Sequence, residues 1–94
     1  MLKLFVVRDA ALGQYLNPFV APSVGFATRS FSDEVNNSSS PLNSHSSDYE
    51  LFEIGEFNPN TGVISPLLVP LSVVRAKDLI IPSSSGKIVS FGNG

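Results

Sequence analysis

The sequence predicts an α+β fold, a small antiparallel sheet with one helix packed on it, and three observations predict it. Residues 48–64, DYELFEIGEFNPNTGVI, combine aromatic and branched residues that suit a pleated surface (Tyr49, Leu51, Phe52, Ile54, Phe57) with a run of turn residues, Asn58-Pro59-Asn60-Thr61-Gly62. That is a β-hairpin. Leu2 to Val7 alternate two largely apolar faces, which predicts a strand in the interior of a sheet or one covered on both sides, as by a second subunit. Val24, Ala27, Phe31 and Val35 recur at spacings of three and four, the stripe of a helix lying on a sheet.

Taken in order, the first strand runs from Leu2 to Val7 and ends at Arg8-Asp9. Ala10 to Ala21 reads as a connection, but its Tyr15, Leu16, Phe19 and Val20 must pack on something. Ser23 is a competent N-cap for a helix to about Asn36, with Arg29, Ser30 and Asp33 on its polar side. Asn36-Asn37 would stop it in the left-handed cap conformation. The serine-rich stretch 38–47 then reads as a long polar loop, either mobile or a binding element. In the hairpin, Pro59 presets the first central turn position, Gly62 supplies a positive φ, and Gly55 marks a bulge or a close backbone approach. Pro66 limits the return strand, and Leu67 to Pro70 form an extended apolar bridge. Ser72 to Leu79 suit either a short helix or a strand, so the order is β-α-β-hairpin followed by one uncertain element. The domain expectation is a single α+β unit over 1–81 and a loosely attached tail over 82–94.

Ninety-four residues make one domain at the small end of what folds without staples. The chain has no cysteine, which excludes disulfides, thiolate metal sites and a cysteine nucleophile. One helix on three or four strands leaves a sheet face open, so completion as a homodimer or higher homo-oligomer is expected. Leu4 to Val7 is broken by Arg8 and Asp9 and is far too short for a secretion signal or a membrane span. The expectation is a chain that stays where it is made and meets no membrane.

No catalytic constellation stands out. Glu50, Glu53 and Glu56 sit three apart on a strand and cannot share a face as an acid–base pair; they read as solvated strand margins. His45, the one histidine, has no partner at metal-ligand or triad spacing. Ser83 to Lys87 lack the first glycine and the following helix of a phosphate loop. Neither an enzyme nor a metal or cofactor is expected. Nucleic-acid binding has more to work with. Single-strand binders set basic side chains along the backbone and aromatic platforms under the bases. Arg8, Arg29, Arg75 and Lys77 could supply the first, and Tyr15, Phe19, Tyr49 and Phe52 the second. A net charge of −2 and a charged fraction of 15% weigh against non-specific DNA binding, and so small a core needs most of its aromatics for packing.

The succession VVRD at 6–9, NPF at 17–19, ATRSFSDEVN at 27–36, DYELFEIGEF at 48–57 and TGVI at 61–64 resembles the small nonstructural protein of gokushovirus-type microviruses, bacteriophages with circular single-stranded DNA genomes. The resemblance runs from about residue 4 to residue 80. It implies a noncatalytic viral protein that binds single-stranded DNA in the bacterial host cytoplasm as replication turns to single-stranded progeny, without metal or cofactor. Arg8, Arg29 and Arg75, with Lys77, would then contact phosphate, and Tyr15 or Phe19 would stack. The serine-rich loop and the segment after Ile81 depart from the family pattern. Two alternatives stay open: a protein-interaction regulator engaging host or viral replication proteins without touching DNA, and an assembly factor.

Overall fold

The structure, a computed structural model, describes residues 1–81. The segment 82–94, read from the sequence as a loosely attached tail, lies outside the described residues. Five antiparallel strands form one sheet: β1 (Leu2–Asp9), β2 (Gln14–Tyr15), β3 (Phe19–Ala21), β4 (Tyr49–Phe57) and β5 (Ile64–Arg75). Their order is β2-β1-β4-β5, with β3 sharing the β1 edge used by β2. The main helix is α1 (Val24–Val35), and a short α2 (Pro41–Ser44) follows it. An α+β fold with one helix on a small antiparallel sheet is what the sequence predicted.

β1 is the central strand, paired on both edges, with Phe5 and Val7 packed toward α1 and Val6 buried on the other face. One edge pairs with β4 from Leu2↔Phe57 to Asp9↔Tyr49. The other pairs with β3 through Lys3 to Phe5, then with β2 through Arg8 and Asp9. The strand therefore continues past Val7 to Asp9, two residues beyond its predicted end. Asp9 then closes the turn into β2, its Oδ1 accepting from the amides of Ala11 and Leu12 while Gly13 takes φ +66°. What the sequence offered as one apolar connection is two short strands laid along β1.

Helix α1 covers one face. Ser23 Oγ accepts from the Phe26 amide at 3.1 Å, and Ala27, Phe31 and Val35 bury against Phe5, Ala21, Leu51 and Ala76. Phe19 stacks on Phe5, centroids 5.8 Å apart, on this same face. Asn36 ends the helix at φ −93°, not in the left-handed region. Its side chain does the work instead, donating to the carbonyls of Ser32 and Leu79 and accepting from the Ile81 amide. The loop predicted at 38–47 is largely structured. Buried Ser40 caps α2 through the Leu42 amide with Pro41 in the first turn, and a 3-10 turn at Ser46–Asp48 leads into β4.

The hairpin forms as predicted: the Asn58 amide donates to the Val63 carbonyl, the Gly62 amide donates to the Asn58 carbonyl, and Gly62 has φ +76°. Pro66 does not end the return strand. β5 passes through Pro66 and Pro70 because it is an edge strand, where a missing N–H can face solvent. Ser72 to Arg75 are strand, and a 3-10 turn at Ala76–Asp78 carries Ala76 into the core. Between Glu53↔Leu71 and Gly55↔Pro66, Ile54 alone on β4 faces Leu67, Leu68, Val69 and Pro70, which bulge out of the ladder. Gly55 is required here, since a Cβ would sit 2.6 Å from the Ser65 carbonyl oxygen. The result is elongated. The radius of gyration is 15.7 Å, against about 12 Å for a compact chain of this length.

Candidate nucleic-acid interface

Strand register decides which side chains share the face that α1 leaves open. Partners on adjacent antiparallel strands point to the same side, and alternate residues along a strand return to it. Tyr15 pairs with Arg8, Arg8 with Glu50, and Glu50 with Arg75, so these four form one row across β2, β1, β4 and β5. The next row on the same face is Val6, Phe52 and Ser72. Phe5, Val7 and Leu51 have the opposite parity and face α1.

The open-face rows are locally ordered. Tyr15 meets Phe52 edge to face at 5.6 Å; Val6 on this face is 4% exposed, while Tyr15 stays 47% exposed. The Arg8 guanidinium lies over the Tyr15 ring, 5.7 Å from its centroid. Glu50 accepts a hydrogen bond from the Ser72 hydroxyl. Among the described residues the one ion pair joins Lys3 to Glu53 at 3.2 Å, so neither Arg8 nor Arg75 is engaged by a carboxylate. Arg8 and Arg75 thus flank Glu50 on strands about 10 Å apart, and a small cavity of about 40 Å³ opens between them against Ala10, Ser47, Asp48 and Tyr49. Arginine forks with an exposed aromatic beside them can hold a phosphate and support a base.

Beneath this end, half-buried Tyr49 pairs with Asp9 across β1 and β4. Partial burial and then the adjacent Asp9 carboxylate hold its phenol above the ordinary tyrosine value, with Asp48 adding to the effect. Tyr49 packs against the core, as does Phe19, so neither aromatic presents a free platform. The sequence candidates therefore divide. Arg8, Tyr15 and Arg75 come together with Phe52. Exposed Lys77 sits at the same end, on the turn after Arg75. Arg29 is exposed on the outer side of α1, across the sheet from the row. Glu50 was read only as a solvated margin; its parity with Phe52 along β4 was the signal that it belongs to this face.

Among the described residues, no group of three or more His, Cys, Asp or Glu side chains could hold a metal ion, and no helix is long and apolar enough to cross a membrane. A search of curated proteins and a search of solved structures each return no match. A family model described as Phage ORF5 protein matches residues 2–79, which takes in all five strands, both helices and the whole arginine–aromatic row. The chain is a phage protein, a member of the phage ORF5 protein family.

Proposed function

We propose that this protein is a noncatalytic nonstructural protein of a gokushovirus-type bacteriophage that binds single-stranded DNA during viral genome replication in the bacterial cytoplasm. The observation that supports this best is the Tyr15–Arg8–Glu50–Arg75 row with Phe52 beside it. Two guanidinium groups without a carboxylate partner among the described residues would neutralise backbone phosphates, and half-exposed Tyr15 would offer its ring to a base. Glu50 between the cations and the net charge of −2 keep non-specific attraction low. Affinity would then come from local contacts, which a flexible single strand can follow and a stiff duplex cannot. The test is a fluorescence-anisotropy titration of labelled single-stranded and duplex oligonucleotides at two salt concentrations. Salt-sensitive binding that favours the single strand is the expected result; no binding at low salt overturns the proposal.

A second reading has one observation in its favour. No charged residue stands between Glu56 and Arg75, and this stretch exposes a run of aliphatic side chains that suits protein rather than a polyanion. It favours a regulator that engages host or viral replication proteins, and unaltered DNA mobility with capture of such a protein would support it over the first.

A further inference from the structure

The apolar surface is concentrated where β4 and β5 leave the helix-covered part of the sheet. Val63, Ile64, Leu67, Leu68, Val69 and Leu71 are all exposed, Val69 at 70% and Leu68 at 104%, so no other described residue covers the Leu68 side chain. These six residues expose on the order of 600 Å², the size at which an apolar patch marks an interaction surface and close to the ~800 Å² per partner of a standard interface. Edge strands that stay solvated are ordinarily guarded by lysine or other charges. This one carries no charge between Glu56 and Arg75, and Pro66, Pro70 and the bulge are its guards against strand pairing, leaving its aliphatic side chains exposed.

The chain also carries a receptor of matching chemistry. A groove of about 270 Å³ runs between α1 and the sheet, floored by Val7, Phe19, Phe31 and Leu42 with Ser30 and Glu34 at its rim. It is smaller than the ~300–1,000 Å³ of a small-molecule pocket and has room for one or two branched aliphatic side chains. Knob and groove are both present in one sequence, and the knob is uncharged, so two acidic copies can meet there without like-charge repulsion. The buried core needs such help: its buried apolar side chains are Phe5, Val6, Phe31, Val35 and Leu51 with three alanines.

We propose that the arm is an exchange element between two copies of this chain, Leu68 of each copy seating in the Val7–Phe19–Phe31–Leu42 groove of the other. The contact is isologous, because each copy gives an arm and receives one. It lies on the arm and on the helix side, and leaves the Tyr15–Arg8–Glu50–Arg75 row of both copies open.

Sedimentation velocity and light scattering on the full-length protein test this with two surface substitutions, Leu68→Asp and Ser30→Arg, far-UV circular dichroism confirming the fold of each. Both positions are exposed, so neither change disturbs the core. The wild type is expected as a dimer, and each variant as a folded monomer with a dissociation constant raised about 100-fold or more. Mixing the two variants should regain one of the two contacts, the Ser30→Arg arm in the Leu68→Asp groove, so a heterodimer forms more tightly than either variant pairs with itself but more weakly than the wild type. A monomeric wild type, or a Leu68→Asp protein as dimeric as the wild type, overturns the proposal. Dissociation by Leu68→Asp with no effect of Ser30→Arg overturns the groove as the seat.

Discussion

The β4–β5 ladder carries two unlike surfaces on one continuous pair of strands. At its base, Leu51, Val73 and Val74 pack toward α1 while Glu50, Phe52, Ser72 and Arg75 present charge and an aromatic ring on the other face. Beyond Glu53 nothing from Ile54 to Leu71 joins the core, and the strands run on as an arm whose one charged residue is Glu56. The same register serves both ends. The difference is the backing: a base held from behind by a helix can keep polar groups in a fixed row, whereas an arm with no backing exposes whatever its sequence supplies, here aliphatic residues. Stability therefore belongs to the base. In the two proposals above, charge contacts would fall at the base and apolar contacts on the arm.

The comparison is sharpest in stability. Leu51 is fully buried at the base, and Leu51→Ala should cost about 2–5 kcal/mol in urea denaturation. Leu68→Ala, measured at dilution where the chain is a monomer, should cost no more than about 0.5 kcal/mol. Equal losses at the two sites would erase the distinction. Gly55 is the joint between them. Gly55→Ala drives a methyl group into the Ser65 carbonyl oxygen and against Pro66 Cα at 3.0 Å, which should cost about 1–3 kcal/mol. Amide hydrogen exchange should quicken in residues 56–66 and stay slow in α1.

Asn36 ties the chain beyond the arm back to the base through Leu79 and Ile81. Asn36→Ala should lower stability by about 1–2 kcal/mol and release protection at 79–81 without touching the hairpin turn. The smallest effect is alkaline. Tyr49 titrates above its unfolded value because of partial burial and Asp9, so it favours the folded state while it stays protonated. That contribution is complete below about pH 10, the unfolded tyrosine value, and is lost as pH rises through the higher folded value. Tyr49→Phe should flatten the alkaline decline in melting temperature, and an unchanged decline would remove Tyr49 as its source.

The elements that sequence alone revealed were those whose signals are local. Ser23 with the Val24–Ala27–Phe31–Val35 stripe fixes α1, and Asn58 to Gly62 fix the turn. Non-local pairing hid the rest. Pro66 and Pro70 look like strand breakers until β5 is known to be an edge, and β2 and β3 are too short to show a period. For the site, Arg8, Tyr15 and Arg75 could be nominated by residue type, but their common row depends on three registers. Tyr15 and Phe19 are four residues apart yet serve opposite faces, since the chain passes from β2 to β3 between them. Only a register could separate the stacking candidate from the core residue.

The proposed role of the base rests on the row, and a salt series of single-stranded DNA titrations on three proteins tests it directly: wild type, Arg8→Ala with Arg75→Ala, and Arg29→Ala. Loss of two phosphate contacts should weaken low-salt binding and flatten the slope of log K against log salt by about 1.4, at about 0.7 per contact on a single strand. Arg29→Ala, across the sheet, should match the wild type. Equal weakening by Arg29→Ala, or a slope unchanged by removing Arg8 and Arg75, would contradict the account.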